Sequence, residues 1–439
     1  MKEQFIEEYK AFLDNGKTER ECVSTTITLA RELGYVDLCE KENLVPGDKV
    51  YVVHRDKAIA LFCIGEDDIE NGMNILGAHI DSPRLDVKMK PLFEKDGVVY
   101  LNTHYYGGIK KYQWVTHPLA IHGTVFKKDG TCSLVVIGED EDDTALCISD
   151  ILPHLAQDQM KKLAGEFIPG ENLDLVIGLN ETPDEKDKGK NAILEILKER
   201  YDFTEDDFLS AELEVVPAGR ARDLGLDRSM VLAYGQDDRV CAFTSLKALL
   251  DLNKAPKRTA VCILVDKEEI GSTGSTGMDS AVFANMCSEL IAKLLPSYSE
   301  LALRRALRNS YMLSSDVTAA FDPQYPELFD KQNASILAAG VVFNKYTGSR
   351  GKAGASDANP EFIALLRKTM DENNVTYQMG EMSKVDVGGG GTIAKFAAYH
   401  GMEVIDCGVP VISMHAPFEI TAVKDVYEAY LGYKAFLTI

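Results

Sequence analysis

The run Val261-Cys-Ile-Leu-Val-Asp-Lys-Glu-Glu-Ile-Gly-Ser272 carries an apolar stretch through Asp266 and Lys267 into two adjacent glutamates, Glu268 and Glu269. Adjacent side chains diverge, so one carboxylate can bind a cation while the other holds a proton above it. A second fragment, Gly77-Ala-His-Ile-Asp-Ser-Pro-Arg84, sets His79 and Asp81 two residues apart. If residues 75–80 form a strand the two point the same way, because side chains alternate along it. The imidazole can then ligate a metal while the acid orients it. Three more candidates complete the set. Asp237 opens a helix in Tyr234-Gly-Gln-Asp-Asp-Arg239, Asp316 follows Tyr311-Met-Leu-Ser-Ser315, and His415 follows Val411-Ile-Ser-Met414. Singly, each has an ordinary reading as a satisfied histidine, a helix cap or a solvated turn. Jointly they are histidines and carboxylates without thiolate, a donor set for Zn, Mn or Co. The carboxylates of Asp237, Glu269 and Asp316 nearly balance two divalent ions, and one hydroxide completes neutrality. The glycines after Glu269 fit neither phosphate-binding spacing, Gly-x-x-x-x-Gly-Lys-Ser/Thr or Gly-x-Gly-x-x-Gly, which excludes a nucleotide loop.

These residues need a scaffold that brings distant segments to one edge. His79, Glu269, Asp316 and His415 each follow a short apolar run bounded by turn signals, and Asp237 starts the helical stretch Arg239-Val-Cys-Ala-Phe-Thr-Ser-Leu-Lys-Ala-Leu-Leu250. Strands buried on both faces belong to α/β sheets, which bind ligands beyond the carboxyl ends of their strands. Between about residues 92 and 230 the texture changes. Strand-like pieces such as Cys132-Ser-Leu-Val-Val-Ile137 alternate with loops such as Gly138-Glu-Asp-Glu-Asp-Asp143 and Thr182-Pro-Asp-Glu-Lys-Asp-Lys-Gly189, around one helical stretch over 190–200. The expectation is a discontinuous α/β domain, residues 1–91 and 231–439, interrupted by a β-rich insert over 92–230.

At 439 residues the chain is long enough for two domains. A net charge of -22 repels phosphate backbones and anionic lipid, so neither nucleic acid nor membrane is an expected partner. Nine cysteines, an odd number with no Cys-x-x-Cys, read as buried thiols of a reducing compartment. The amino-terminal Phe5, Tyr9, Phe12 and Leu13 share a helical face with acids between them, unlike a secretory or organellar leader. A cytoplasmic location follows.

The chain resembles the aspartyl aminopeptidase and vacuolar aminopeptidase I family of two-zinc metallopeptidases. The resemblance runs in order through Ala78-His-Ile-Asp-Ser-Pro-Arg84, Tyr106-Gly-Gly-Ile109 with Trp114, Asp266-Lys-Glu-Glu-Ile-Gly-Ser272, Ser315-Asp316 and Met414-His-Ala-Pro-Phe-Glu419. It implies that His79 and Asp316 hold one metal, Glu269 and His415 the other, and that Asp237 bridges them. It further implies Glu268 as general base and Asp81 as the orienter of His79. The implied fold is a mixed-sheet α/β metallopeptidase domain with an inserted β-rich dimerisation domain, assembled into a homo-oligomer, typically a dodecamer. The implied reaction is release of N-terminal residues from peptides with two divalent ions, zinc first and cobalt or manganese as alternatives. Deacylation of N-acyl amino acids could use the same site, and a non-catalytic scaffold would show loss of a ligand or base. The chain departs from the aspartyl enzymes after Asp316, where Val317-Thr-Ala-Ala-Phe-Asp-Pro323 lacks their histidines. In Pro153-His-Leu-Ala-Gln-Asp158, Asp158 stands where they place a second histidine. Lys345 and Arg350 could meet an acidic substrate side chain, the alternative being ordinary exposed loop cations.

Overall fold

The computed structural model describes residues 2–140, 142–182 and 185–439; Met1, Glu141, Pro183 and Asp184 lie outside them, the last three within the stretches 138–143 and 182–189 expected from the sequence to be loops. The chain divides into two compact units. The first comprises Met1–Asp81, Ala221–Met414 and Glu419–Ile439, and the second Ser82–Arg220 with His415–Phe418.

The apolar runs of the first unit become a nine-stranded mixed sheet. In chain order its strands are Val36–Asp37 (β1), Lys49–His54 (β2), Ala58–Cys63 (β3), Asn74–His79 (β4), Ala260–Val265 (β5), Tyr311–Ser314 (β6), Val341–Asn344 (β7), Tyr377–Met379 (β8) and Glu403–Gly408 (β9). Their spatial order is β1-β2-β3-β5-β4-β6-β9-β7-β8. The central strands β5, β4, β6 and β9 run parallel to one another. Their carboxyl ends therefore open at a single edge, where such sheets bind ligands. Strands β3, β4 and β5 are buried at every position, which a sheet covered on both faces requires. Cys262 and Leu264 feed one hydrophobic cluster, while Val261, Ile263 and Val265 feed another, so alternation along β5 serves both faces.

The helix Gln236–Leu250 carries almost no exposed surface, as befits an element at the centre of a unit. Thr18 and Glu21 form a capping box that starts the helix Glu19–Glu32. A separate five-stranded sheet joins Arg222–Leu224, Met230–Ala233, Glu419–Ala422, Pro410–Ile412 and Thr318–Ala319. One expectation is revised here. By its apolar pattern the run 409–414 belongs in the α/β sheet, but Glu403–Gly408 occupies that place and Pro410–Ile412 joins the smaller sheet. Glu403 and Asp406 interrupt the apolar signal of β9, and Pro410, without an N–H, suits the first residue of a new strand.

The second unit is built on six antiparallel strands in the order Cys132–Ile137, Leu119–Phe126, Ala211–Pro217, Arg84–Lys95, Val98–Tyr106 and Leu175–Leu179. The helix Lys188–Tyr201 is its long helix. The texture change at residue 92 falls inside Arg84–Lys95, a continuous strand of this unit.

One buried acid makes stability pH-dependent. Burial pushes the Asp425 carboxyl up to about 6, against hydrogen bonds donated by the N–H groups of Gly340 and Ala338. Its value in the unfolded chain is about 3.9. The folded state thus binds the extra proton between those values, and the stabilisation present below about pH 4 is lost as pH rises through about 6. Denaturant unfolding of wild type and Asp425→Asn across pH 4–7.5 should show wild type losing stability relative to the variant, by up to about 2–3 kcal/mol. A difference independent of pH would refute this assignment.

Candidate metal centre

His79 is the last residue of β4 and is 1% exposed. Its Nδ1 lies 3.1 Å from the Asp81 carbonyl oxygen and 3.3 Å from the Asp81 carboxylate. With the proton on Nδ1, Nε2 is left to ligate. Nε2 faces three carboxylates: Asp237 at 3.2 Å, Glu268 at 3.9 Å and Asp316 at 4.0 Å. Each is supplied by a different element. Glu268 and Glu269 sit in the short turn Glu268–Ile270 after β5, with left-handed Lys267 and Gly271 on either side. Asp316 lies just past β6.

Asp81 has a second task that sequence does not reveal. Its buried carboxylate accepts the N–H of Glu268 at 3.1 Å and the N–H of Glu269 at 3.2 Å. One carboxylate thus ties the imidazole to the glutamate turn, and charge-assisted bonds of this kind are roughly twice as strong as neutral ones. Asp237 opens its helix with a non-helical backbone and a cis peptide to Asp238. Its N–H donates to the Glu419 carboxylate at 2.9 Å. Asp238 accepts the backbone N–H of His79 at 3.3 Å. Asp238 and Glu419 both lie in the motifs named above, yet local pattern assigns neither a role. Their contacts link segments far apart in the chain, which spacing cannot show.

The electrostatics are those of crowded negative charge. Burial alone would lower the His79 imidazole, but Asp237 and Asp81, with Asp238 and Glu268, hold it well above its ordinary value. Burial, then the nearby Asp238 carboxylate, pushes Asp316 well above the usual carboxylate range. Burial likewise raises Asp238. Acids packed this closely are relieved by a cation. Ligand atoms of His79, Asp237 and Asp316 all lie within 4.8 Å of one another, as do those of His79, Glu268 and Glu269. The nitrogen and oxygen donors therefore fit a divalent metal of the zinc, cobalt or manganese type.

His415 belongs to the second unit, three residues beyond the strand Pro410–Ile412. Its backbone is left-handed, and Nδ1 lies 2.9 Å from the Gly108 carbonyl oxygen. A Cβ at residue 108 would be 3.3 Å from that nitrogen, which gives the Tyr106-Gly-Gly-Ile109 motif a steric purpose. Of the charged residues that could bear on specificity, Lys345 lies 3.9 Å from Asp357, and Asp158 pairs with Lys161 at 2.9 Å on the surface.

Comparison with known proteins places the chain in a family. The profile of the aminopeptidase I zinc metalloprotease family (M18) matches residues 12–437. A Clostridium acetobutylicum protein named "Probable M18 family aminopeptidase 1" is 54% identical over 445 residues, covering 100% of this chain and 95% of its own. The crystal structure of an M18 aminopeptidase from Thermotoga maritima superposes with a TM-score of 0.95 at 43% identity, covering 100% of this chain and 97% of that one. The S. cerevisiae mApe1 dodecamer, at 20% identity and a TM-score of 0.77 over 98% of this chain and 95% of that one, shares the fold. The chain belongs to the aminopeptidase I zinc metalloprotease (M18) family.

Proposed function

We propose that this aminopeptidase works with two divalent ions, zinc first among them, and that Glu268 moves the proton. The observation that carries the reading is the His79 ring, anchored at Nδ1 by Asp81 and facing Asp237, Glu268 and Asp316 through Nε2. In this reading His79 and Asp316 hold one ion, Glu269 and His415 the other, and Asp237 both. Bound ions supply Lewis acidity, lowering the pKa of water and polarising the scissile carbonyl. Glu268 accepts the proton of the attacking water on a carboxylate oxygen and returns it to the leaving amine. Asp81 keeps the imidazole in register and, through the N–H groups of Glu268 and Glu269, holds base and ligand at fixed separation.

The substrates are peptides with a free amino terminus. A panel of aminoacyl-p-nitroanilides and N-acetyl amino acids, assayed on chelated protein reloaded with zinc, cobalt or manganese, tests both the reaction and the metal. Hydrolysis of the anilides, restored by metal, is expected; turnover of N-acetyl amino acids alone would replace this reading with a deacylase. Zinc titration of the chelated protein should reach two ions per chain, and saturation at one would overturn the two-ion count.

The second unit is proposed as the oligomerisation domain of a homo-oligomer, a dodecamer by analogy with the S. cerevisiae assembly. Support comes from residues 151–163, where Leu155, Met160 and Leu163 are 68%, 69% and 74% exposed. Apolar side chains grouped on a surface mark association sites. No helix among the described residues is long and apolar enough to cross a membrane, and the proposed setting is cytoplasmic. Sedimentation at micromolar protein should give a mass many times that of one chain; a monomer would remove the proposal.

A further inference from the structure

Ile80 joins the proposed ligand His79 to the proposed orienter Asp81, at the point where the central sheet stops. Its N–H donates to the Val265 carbonyl at 2.9 Å, the last rung along β5. In a parallel ladder the Ile80 carbonyl faces the same strand as its N–H, but β5 ends at Val265 and the chain turns away through left-handed Lys267, so the Ile80 carbonyl lies beyond that ladder. A buried carbonyl without a partner is costly, so a donor from elsewhere is required. Arg239 supplies it. Its Nε donates to the Ile80 carbonyl at 3.2 Å, and its Nη2 donates to the Lys17 carbonyl at 2.9 Å. The side chain is wholly buried, with its guanidinium carbon 5.3 Å from the Tyr234 ring centre. Three consecutive residues therefore grip one short segment. Asp237 meets the His79 imidazole, Asp238 the His79 N–H, and Arg239 the Ile80 carbonyl.

We propose that Arg239 is a positioning residue for the metal centre, its planar fork fixing the His79–Asp81 segment against the helix that carries Asp237. The proposal rests on the metal-site reading above. Arginine is needed because its rigid donors span two carbonyls in different elements, Ile80 at the end of β4 and Lys17 before the cap of the helix Glu19–Glu32. A lysine ammonium is a compact point charge that keeps the buried positive charge but loses the fork. Metal ligands tolerate only small displacement, so loss of one tie should weaken the site while leaving the fold in place.

The experiment compares wild type, Arg239→Lys and His79→Ala by thermal midpoint, zinc affinity against a competing chelator, and kcat and KM at saturating zinc. Arg239→Lys should fold, bind zinc about 10–100-fold more weakly, and lose kcat by a similar factor while KM changes little. A purely structural arginine would lower the thermal midpoint and leave zinc affinity and kcat of the folded protein unchanged. Zinc affinity and kcat within about twofold of wild type therefore overturn the proposal. Failure of both Arg239→Lys and Arg239→Gln to fold also overturns it, by assigning the residue to stability. His79→Ala separates the two levels of argument. Unchanged zinc affinity there would defeat the metal-site reading itself, whereas zinc loss there with an unaffected Arg239→Lys defeats only the positioning role.

Discussion

Replacing Glu268 with glutamine should leave the fold and the zinc content intact and remove nearly all turnover. Glu268 is the acid near His79 Nε2 that the proposed ligand set does not use; its Oε2 lies 3.9 Å away, and its side chain is 15% exposed. Partial exposure suits a group that meets water and substrate, whereas His79 and Asp237 beside it are more enclosed, at 1% and 5%. Glutamine keeps the shape and one carbonyl oxygen, so the turn should survive, because its bonds to Asp81 use backbone N–H groups. What glutamine lacks is the capacity to take a proton. The loss in kcat should be about 10²–10⁴-fold, the usual contribution of a positioned general base. Zinc content by elemental analysis, a thermal midpoint and kcat on an aminoacyl-p-nitroanilide decide the matter. A zinc-loaded variant with kcat near wild type would end the assignment of Glu268 as base. A variant that loses its zinc would move Glu268 into the ligand set.

Much of the candidate centre is legible in the sequence because residues that are ordinary singly recur together just past apolar runs. Glu268 and Glu269 follow an unbroken apolar strand, and His79 with Asp81 closes another; charge placed there is hard to explain as surface. Strand periodicity then locates the edge to which these residues converge, and the central parallel strands bear that out. The less legible parts depend on contacts between distant segments. Nothing in local spacing says that Asp81 will accept the N–H groups of residues 268 and 269, or that Glu419 will receive the N–H of Asp237. Strand β9 escapes the pattern because Asp406 and Glu403 break its apolar run, although it stands beside β6 in the central sheet. Burial pushes Asp406 up to about 6, and the Thr392 hydroxyl donates to it at 2.5 Å, so a polar residue in a core strand is satisfied by a partner outside the strand. A hydrophobicity pattern cannot anticipate such a partner.

Strand β9 also sets the second large effect. Gly408, its last residue, should not tolerate even a methyl group. A Cβ built there would lie 1.8 Å from the Asp316 carbonyl oxygen and 2.5 Å from the carbonyl carbon. These are backbone atoms, so no side-chain rotation can relieve the clash, and the segment carrying Asp316 must move. Val342 pairs with Gly408 from the opposite side, which limits retreat of β9 itself. Overpacking of this kind costs about 1–3 kcal/mol and occasionally more. The functional cost should be larger than the loss of stability. A displacement near 1 Å at a reacting site can cost about 10²-fold in rate, and metal–ligand distances are held within about 0.2 Å. Gly408→Ala should therefore fold with a lowered thermal midpoint, bind zinc weakly and lose at least about 10²-fold in kcat/KM. Gly165→Ala provides the contrast, since a Cβ there meets nothing within 4 Å; it should match wild type in all three measurements. If Gly408→Ala bound zinc and turned over like the Gly165 variant, the close approach of β9 to Asp316 would have no part in holding the ligand. If it lost stability but kept zinc affinity and kcat/KM, the strain would have been absorbed away from the carboxylate, and Asp316 would not be held through its own backbone.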